Sequence, residues 1–205
     1  MVRTFRFSNL NWVVLGGILL AQVIILWISP EERTLGAGIK PVYLHVSLTW
    51  TGMLLLFLSG LMGIAVVVSK NESLTSWLKT VFSLAVGFYS IGFIISMIAS
   101  YINWGGIPFR EPKILTALNI IVVSGVIWVL TRWIHRKFVV GLLSLIPIIF
   151  MIWTVGGSRL VLHPDNPVNS SPDGIRFTFY GLFFLALLLA GWLFRYLRGK
   201  ETPLK

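Results

Sequence analysis

Apolar residues in this chain do not alternate with polar ones. They run on for about twenty positions at a time, and short polar segments separate the runs. Six runs lie at about 11–29, 42–68, 80–102, 114–131, 138–157 and 177–194. Each is near the roughly 20 residues that carry a helix across a hydrocarbon core. In lipid every backbone N–H and C=O must be satisfied within the protein, so spans are either helices or a closed barrel. The alternation that barrel strands require is absent. The pattern predicts an all-α integral membrane protein, one domain of six transmembrane helices in one bundle.

Composition agrees with that reading. The chain is 56% hydrophobic and 12% charged, with a mean hydropathy of +0.86. A soluble domain of 205 residues cannot hide so much apolar surface, so the lipid bilayer is its solvent. The first run follows Arg3 and Arg6 and precedes Pro30-Glu31-Glu32-Arg33. It lacks a small-residue cleavage pattern and reads as a retained span.

The net charge of +10 raises nucleic acid as a partner, but the distribution argues against it. The basic residues sit in short loops and tails between apolar runs, as membrane topology requires. With the N-terminus inside, eleven of the 17 Lys and Arg fall on inner segments and six on outer ones. Glu31, Glu32, Glu111, Asp165 and Asp173 fall outside. This predicts both termini in the cytoplasm. Segments 30–41, 103–113 and 158–176 then face the periplasm or exterior. No cysteine is present, which excludes disulfides and thiolate metal sites.

Thr49, Gly52, Ser59 and Gly63 mark one face of the second run, and Ser83, Gly87 and Ser90 one face of the third. Such stripes predict close helix packing. Pro147 in the fifth run is a lone kink candidate. No charged residue lies mid-span and no matched pair of broken helices appears, so a transporter is disfavoured. No nucleophile–histidine–acid order, metal-ligand run or phosphate loop suggests a hydrolytic enzyme.

The chemistry gathers on the outer side. His135, between Ile134 and Arg136, reads as an inner interfacial residue. His45 stands about one turn inside the outer end of the second run, where an ionisable side chain needs a partner. It is either a neutral imidazole bonded to a neighbouring helix or a ligand. His163 lies in the last outer segment, after the apolar stretch Leu160-Val161-Leu162 and two residues before Asp165, which is able to orient it. Two imidazoles distant in sequence are what haem iron takes on its two axial faces. The segment Trp104-Gly105-Gly106-Ile107-Pro108-Phe109-Arg110-Glu111-Pro112-Lys113 lies between them. Trp104 offers a flat stacking surface, Gly105 and Gly106 allow close backbone approach, and Pro108 and Pro112 stiffen the segment. Arg110 and Lys113 suit carboxylates. The alternative is an interfacial turn with a tryptophan anchor and snorkelling cations.

On these residues the chain resembles the haem-handling cytochrome c assembly proteins, the CcmC, CcmF and CcsA group, and CcmC most closely in layout. Tyr43-Leu44-His45-Val46 with Trp50 downstream is similar to the family's first histidine segment. Trp104-Gly105 matches the start of the family's tryptophan-rich loop, and Glu111-Pro112-Lys113 its end. Leu162-His163 is similar to the second histidine segment. Inside the loop the family's tryptophan positions are held here by Pro108 and Arg110.

The resemblance implies a bacterial inner (plasma) membrane and haem binding at its outer face. Haem b is the cofactor, His45 and His163 are its axial ligands, Trp104 packs on the ring, and Arg110, Lys113 or Arg159 lie near the propionates. It also implies presentation of haem to a haem chaperone or apocytochrome c, without bond-making by this chain. The thinned loop leaves a second expectation: a non-transferring relative that joins other membrane subunits in an electron-transfer or photosynthetic complex.

Overall fold

The computed structural model describes residues 9–69, 71–157, 168 and 171–201. These form helices α1 (Asn9–Ile28), α2 (Ile39–Val68), α3 (Glu72–Trp104), α4 (Pro112–Trp133), α5 (Lys137–Leu143), α6 (Leu145–Gly157) and α7 (Asp173–Glu201). α5 and α6 are two halves of one span, so six helical segments are long and apolar enough to cross a membrane. An isolated bridge between Glu32 and Gly36 is the sole β pairing among the described residues. The chain is an all-α, multi-pass membrane protein.

Two helices outrun their apolar stretches. α3 begins at Glu72, eight residues before the run expected from 80. The Asn71 side chain accepts a hydrogen bond from the Ser73 amide (2.9 Å) and caps it. α7 likewise continues to Glu201. Hydropathy marks where hydrocarbon lies, whereas caps decide where a helix starts.

The fifth span breaks at Ser144, between α5 and α6. Pro147 explains the position, because it offers no N–H to the carbonyl of Leu143 and its ring crowds that group. The Ser144 hydroxyl donates to the carbonyl of Gly141 (2.7 Å).

α2 is central and packs on α1, α3, α5, α6 and α7. Without a hydrophobic drive between helices in lipid, close packing holds such a bundle together. Along the α2–α3 hairpin, Gly38 meets Asn103, Thr49 meets Gly92, and Gly52 meets the Tyr89 backbone. Each step forward in α2 is matched by one step back in α3. Deeper in the bundle the α2 stripe changes partner. Gly60 lies against Ile148 of α6, and Gly63 against the Gly141 backbone of α5. Gly87, expected at a close contact, faces open space.

Candidate functional site

Up-and-down threading puts the α1–α2 and α3–α4 connections, the end of α6 and the start of α7 at one end of the bundle. Side chains confirm that they meet there. Asn103 donates to the Gly38 carbonyl (2.9 Å), tying the end of α3 to the start of α2. Gly174, in the first turn of α7, lies against the Pro30 ring.

The first connection is built around one carboxylate. Glu32 accepts hydrogen bonds from the amides of Thr34 (2.8 Å) and Leu35 (2.9 Å) and from the Thr34 hydroxyl. Gly36, at φ +53°, turns the chain so that its amide reaches the Glu32 carbonyl (2.7 Å). The Thr34 hydroxyl and then the two amides hold the Glu32 carboxyl below the usual carboxylate range.

Tyr43 fastens this connection to the bundle. Its hydroxyl donates to the Pro30 carbonyl (2.8 Å). Its ring meets Phe179 edge-on at 4.8 Å. Ile39, Val168, Ile175 and Leu182 complete the buried cluster.

His45 lies two residues beyond Tyr43, about 200° around the helix at ~100° per residue. It therefore shares the α3-facing side with Thr49 and Gly52, and the hairpin register sets it opposite Ser96. It stands about 9 Å below Ile39, at ~1.5 Å per residue. The residue is half-buried, and its Nδ1 is shut off from solvent. The histidine is thus set into the helix packing rather than displayed on the rim.

Trp104 is the last residue of α3 and is 51% exposed. Eight residues separate it from Ser96, so it sits about 12 Å farther out along the helix than the level of His45. Gly105 adopts φ +71° and its amide closes the helix on the Tyr101 carbonyl (2.9 Å). A left-handed cap of this kind is what selects glycine. Among the described residues a side-chain carbon on Gly105 or Gly106 would meet nothing within 4 Å, so the backbone there is open to close approach from outside.

Two tight turns follow. The Phe109 amide donates to Ile107 and the Glu111 amide to Pro108, both at 2.9 Å. They leave Phe109 and Arg110 exposed, with Lys113 half-buried in the first turn of α4.

Glu111 was not expected to be a feature of the site beyond its place in the loop. It occupies the N-cap position of α4, is 4% exposed, and has a buried carboxylate oxygen, Oε2. The sequence signal for it is an acid directly before a proline that opens a helix, where the helix dipole favours negative charge.

His163, Arg159 and Asp165 lie outside the described residues. Val168, five positions after His163, is 3% exposed in the cluster around Tyr43. That cluster is on the side of α2 away from His45. His135 is exposed at the opposite end of the bundle. Among the described residues no three His, Cys, Asp or Glu side chains converge as a metal site. The structure thus brings His45, Trp104, Arg110, Lys113 and Val168 to one end, with Trp104 about 12 Å along the helix axis from the level of His45. No model of a known protein family matches the sequence, nor does any curated protein.

Proposed function

We propose that this chain is a haem-handling membrane protein of the cytochrome c assembly type. In this reading haem b is held at the end that carries the 29–38 and 105–111 connections. His45 and His163 supply the axial imidazoles, Trp104 supplies an apolar face at the rim, and Arg110 and Lys113 supply positive charge for carboxylates. When bound, haem contributes a redox-active iron. The chain holds and orients that group and hands it to a chaperone or apocytochrome c.

The observation that carries the reading is the setting of His45. His45 is half-buried with its Nδ1 closed to solvent, about a turn and a half into a span where an ionisable group marks function.

The test is a visible spectrum of the detergent-extracted protein, as purified and after reconstitution with haem. A Soret band with histidine ligation is expected. His45→Ala and His163→Ala should each weaken haem binding by more than about tenfold, since even second-shell changes cost about 10–100-fold at such sites. A protein that stays colourless after reconstitution overturns the proposal.

One observation favours a second reading. The loop presents a single tryptophan, Trp104, with Pro108 and Arg110 where the resembled family has more. A shelf thinned in this way suits an accessory subunit of a membrane electron-transfer or photosynthetic complex. Co-purification of colourless protein with such a complex supports it.

A further inference from the structure

At the opposite end of the bundle Lys79 and Arg132 are set against neutral partners, with Arg198 nearby. Ser83 of α3 donates its hydroxyl to the Lys79 carbonyl (2.7 Å). The same oxygen accepts the Trp128 indole N–H (2.9 Å) and the Arg132 guanidinium, both from α4. Arg132 also lies over the Trp128 ring, 5.4 Å from its centroid. Lys79 reaches the Ile134 carbonyl (3.4 Å) and is close enough to Arg132 for their charges to repel. One turn earlier on α3, the Ser76 hydroxyl accepts the Arg198 guanidinium of α7. Trp77 and Phe194 meet edge-on beside it at 6.3 Å.

Ser76 and Ser83 lie within ~20° of each other around α3, and Ser83 is about 180° from Gly92, which contacts α2. The row therefore occupies the side of α3 turned away from the bundle core. α4 flanks it on one side and α7 on the other, and among the described residues the backbones of these two helices stay more than 8 Å apart. The result is a groove open to the bilayer. Its floor is α3, its walls carry Trp128 and Phe194, and three cations span about 10 Å of its length.

Basic residues that merely snorkel keep long, mobile stems in the headgroup region. Arg132 is instead fixed by a hydroxyl and a ring face, and Lys79 by a carbonyl. A fixed pair of like charges with no acid between them among the described residues is complementary to a phosphate ester, and basic pockets between spans bind such headgroups. We propose that this groove seats the phosphate of an anionic phospholipid between Lys79 and Arg132, with Arg198 beside it and an acyl chain along Phe194 and Trp77.

The test is native mass spectrometry of the full chain released from nanodiscs of phosphatidylcholine and phosphatidylglycerol in equal parts. Wild-type protein should retain phosphatidylglycerol in preference to phosphatidylcholine. Lys79→Gln/Arg132→Gln should lower that retention about 25-fold, at roughly fivefold per cation. Arg136→Gln/Lys137→Gln, which removes as much charge at the same end but outside the groove, should change it less than about twofold. Ser83→Ala keeps every charge and removes the hydroxyl that positions Arg132, and a severalfold loss is expected. It also serves if the double variant does not insert. Equal losses in both double variants, no preference in the wild type, or full retention in Ser83→Ala overturns the proposal. Displacement of the lipid by excess inorganic phosphate assigns the groove to free phosphate and overturns the lipid assignment.

Discussion

At the scale of single residues, the side chains that organise the ends of the bundle act through the backbone. Glu32 gathers two amides and a hydroxyl, and its carboxyl is held below the usual range by them. Because the folded value is depressed, the turn is fully supported above the ordinary carboxylate range. That support disappears as pH falls through the depressed value. Protection of the Thr34 and Leu35 amides from hydrogen exchange should therefore drop on acidification below that range. In Glu32→Gln, protection should be lower and indifferent to pH over the same interval. Protection in the wild type that ignores acidification contradicts this account. The sequence shows Glu31 and Glu32 only as adjacent outer acids. Which of them folds back depends on the left-handed Gly36, four residues on, and neither composition nor hydropathy reports that.

At the scale of elements, six spans follow from hydropathy because bilayer thickness imposes one length on all of them. The break of the fifth span follows from Pro147. Partner choice is less legible. The small residues of α2 do pack closely, but on α3 in one half and on α5 and α6 in the other. A stripe gives a face and not the identity of what it meets. Gly87 shows the same limit from the other side, since a small residue with nothing near it looks identical in sequence to one in contact. The two cases predict opposite outcomes. A Cβ on Gly52 would lie 2.6 Å from the Tyr89 amide nitrogen, backbone that cannot turn aside. Gly52→Ala should lower stability by about 1–3 kcal/mol, the usual cost of overpacking. Gly87→Ala meets no atom within 4 Å, so it should be neutral or stabilising by up to about 1 kcal/mol through helix propensity. Thermal unfolding of the two variants in one detergent separates them by sign.

At the scale of the whole molecule, the bundle has two chemically distinct ends. One gathers Glu32, Glu111 and Asp173 among the connections, and the other gathers Lys79, Arg132 and Arg198 on hydroxyls and carbonyls. His45 belongs to the first end by depth, yet it looks inward across the α2–α3 seam. Its two-residue spacing from Tyr43 alone implies opposite helix faces, but only the α3 register shows which face is the inner one. The same asymmetry sets the expected orientation, because a short basic connection resists translocation and an acidic one does not. The chain is free of cysteine, so a single introduced thiol reports its position without background. We expect Gly106→Cys in intact cells to react with a membrane-impermeant maleimide. Its Cβ meets nothing within 4 Å and the residue lies in a half-buried bend outside the helices, so the substitution should leave the fold intact. Arg136→Cys, between α4 and α5, should react only after the membrane is opened. The reverse pattern would place the histidine end in the cytoplasm, where haem delivery to an exported apocytochrome has no geometry to work with. That single result would remove the proposed function while leaving the lipid groove, which depends only on side chains fixed against one another, free to stand in either orientation.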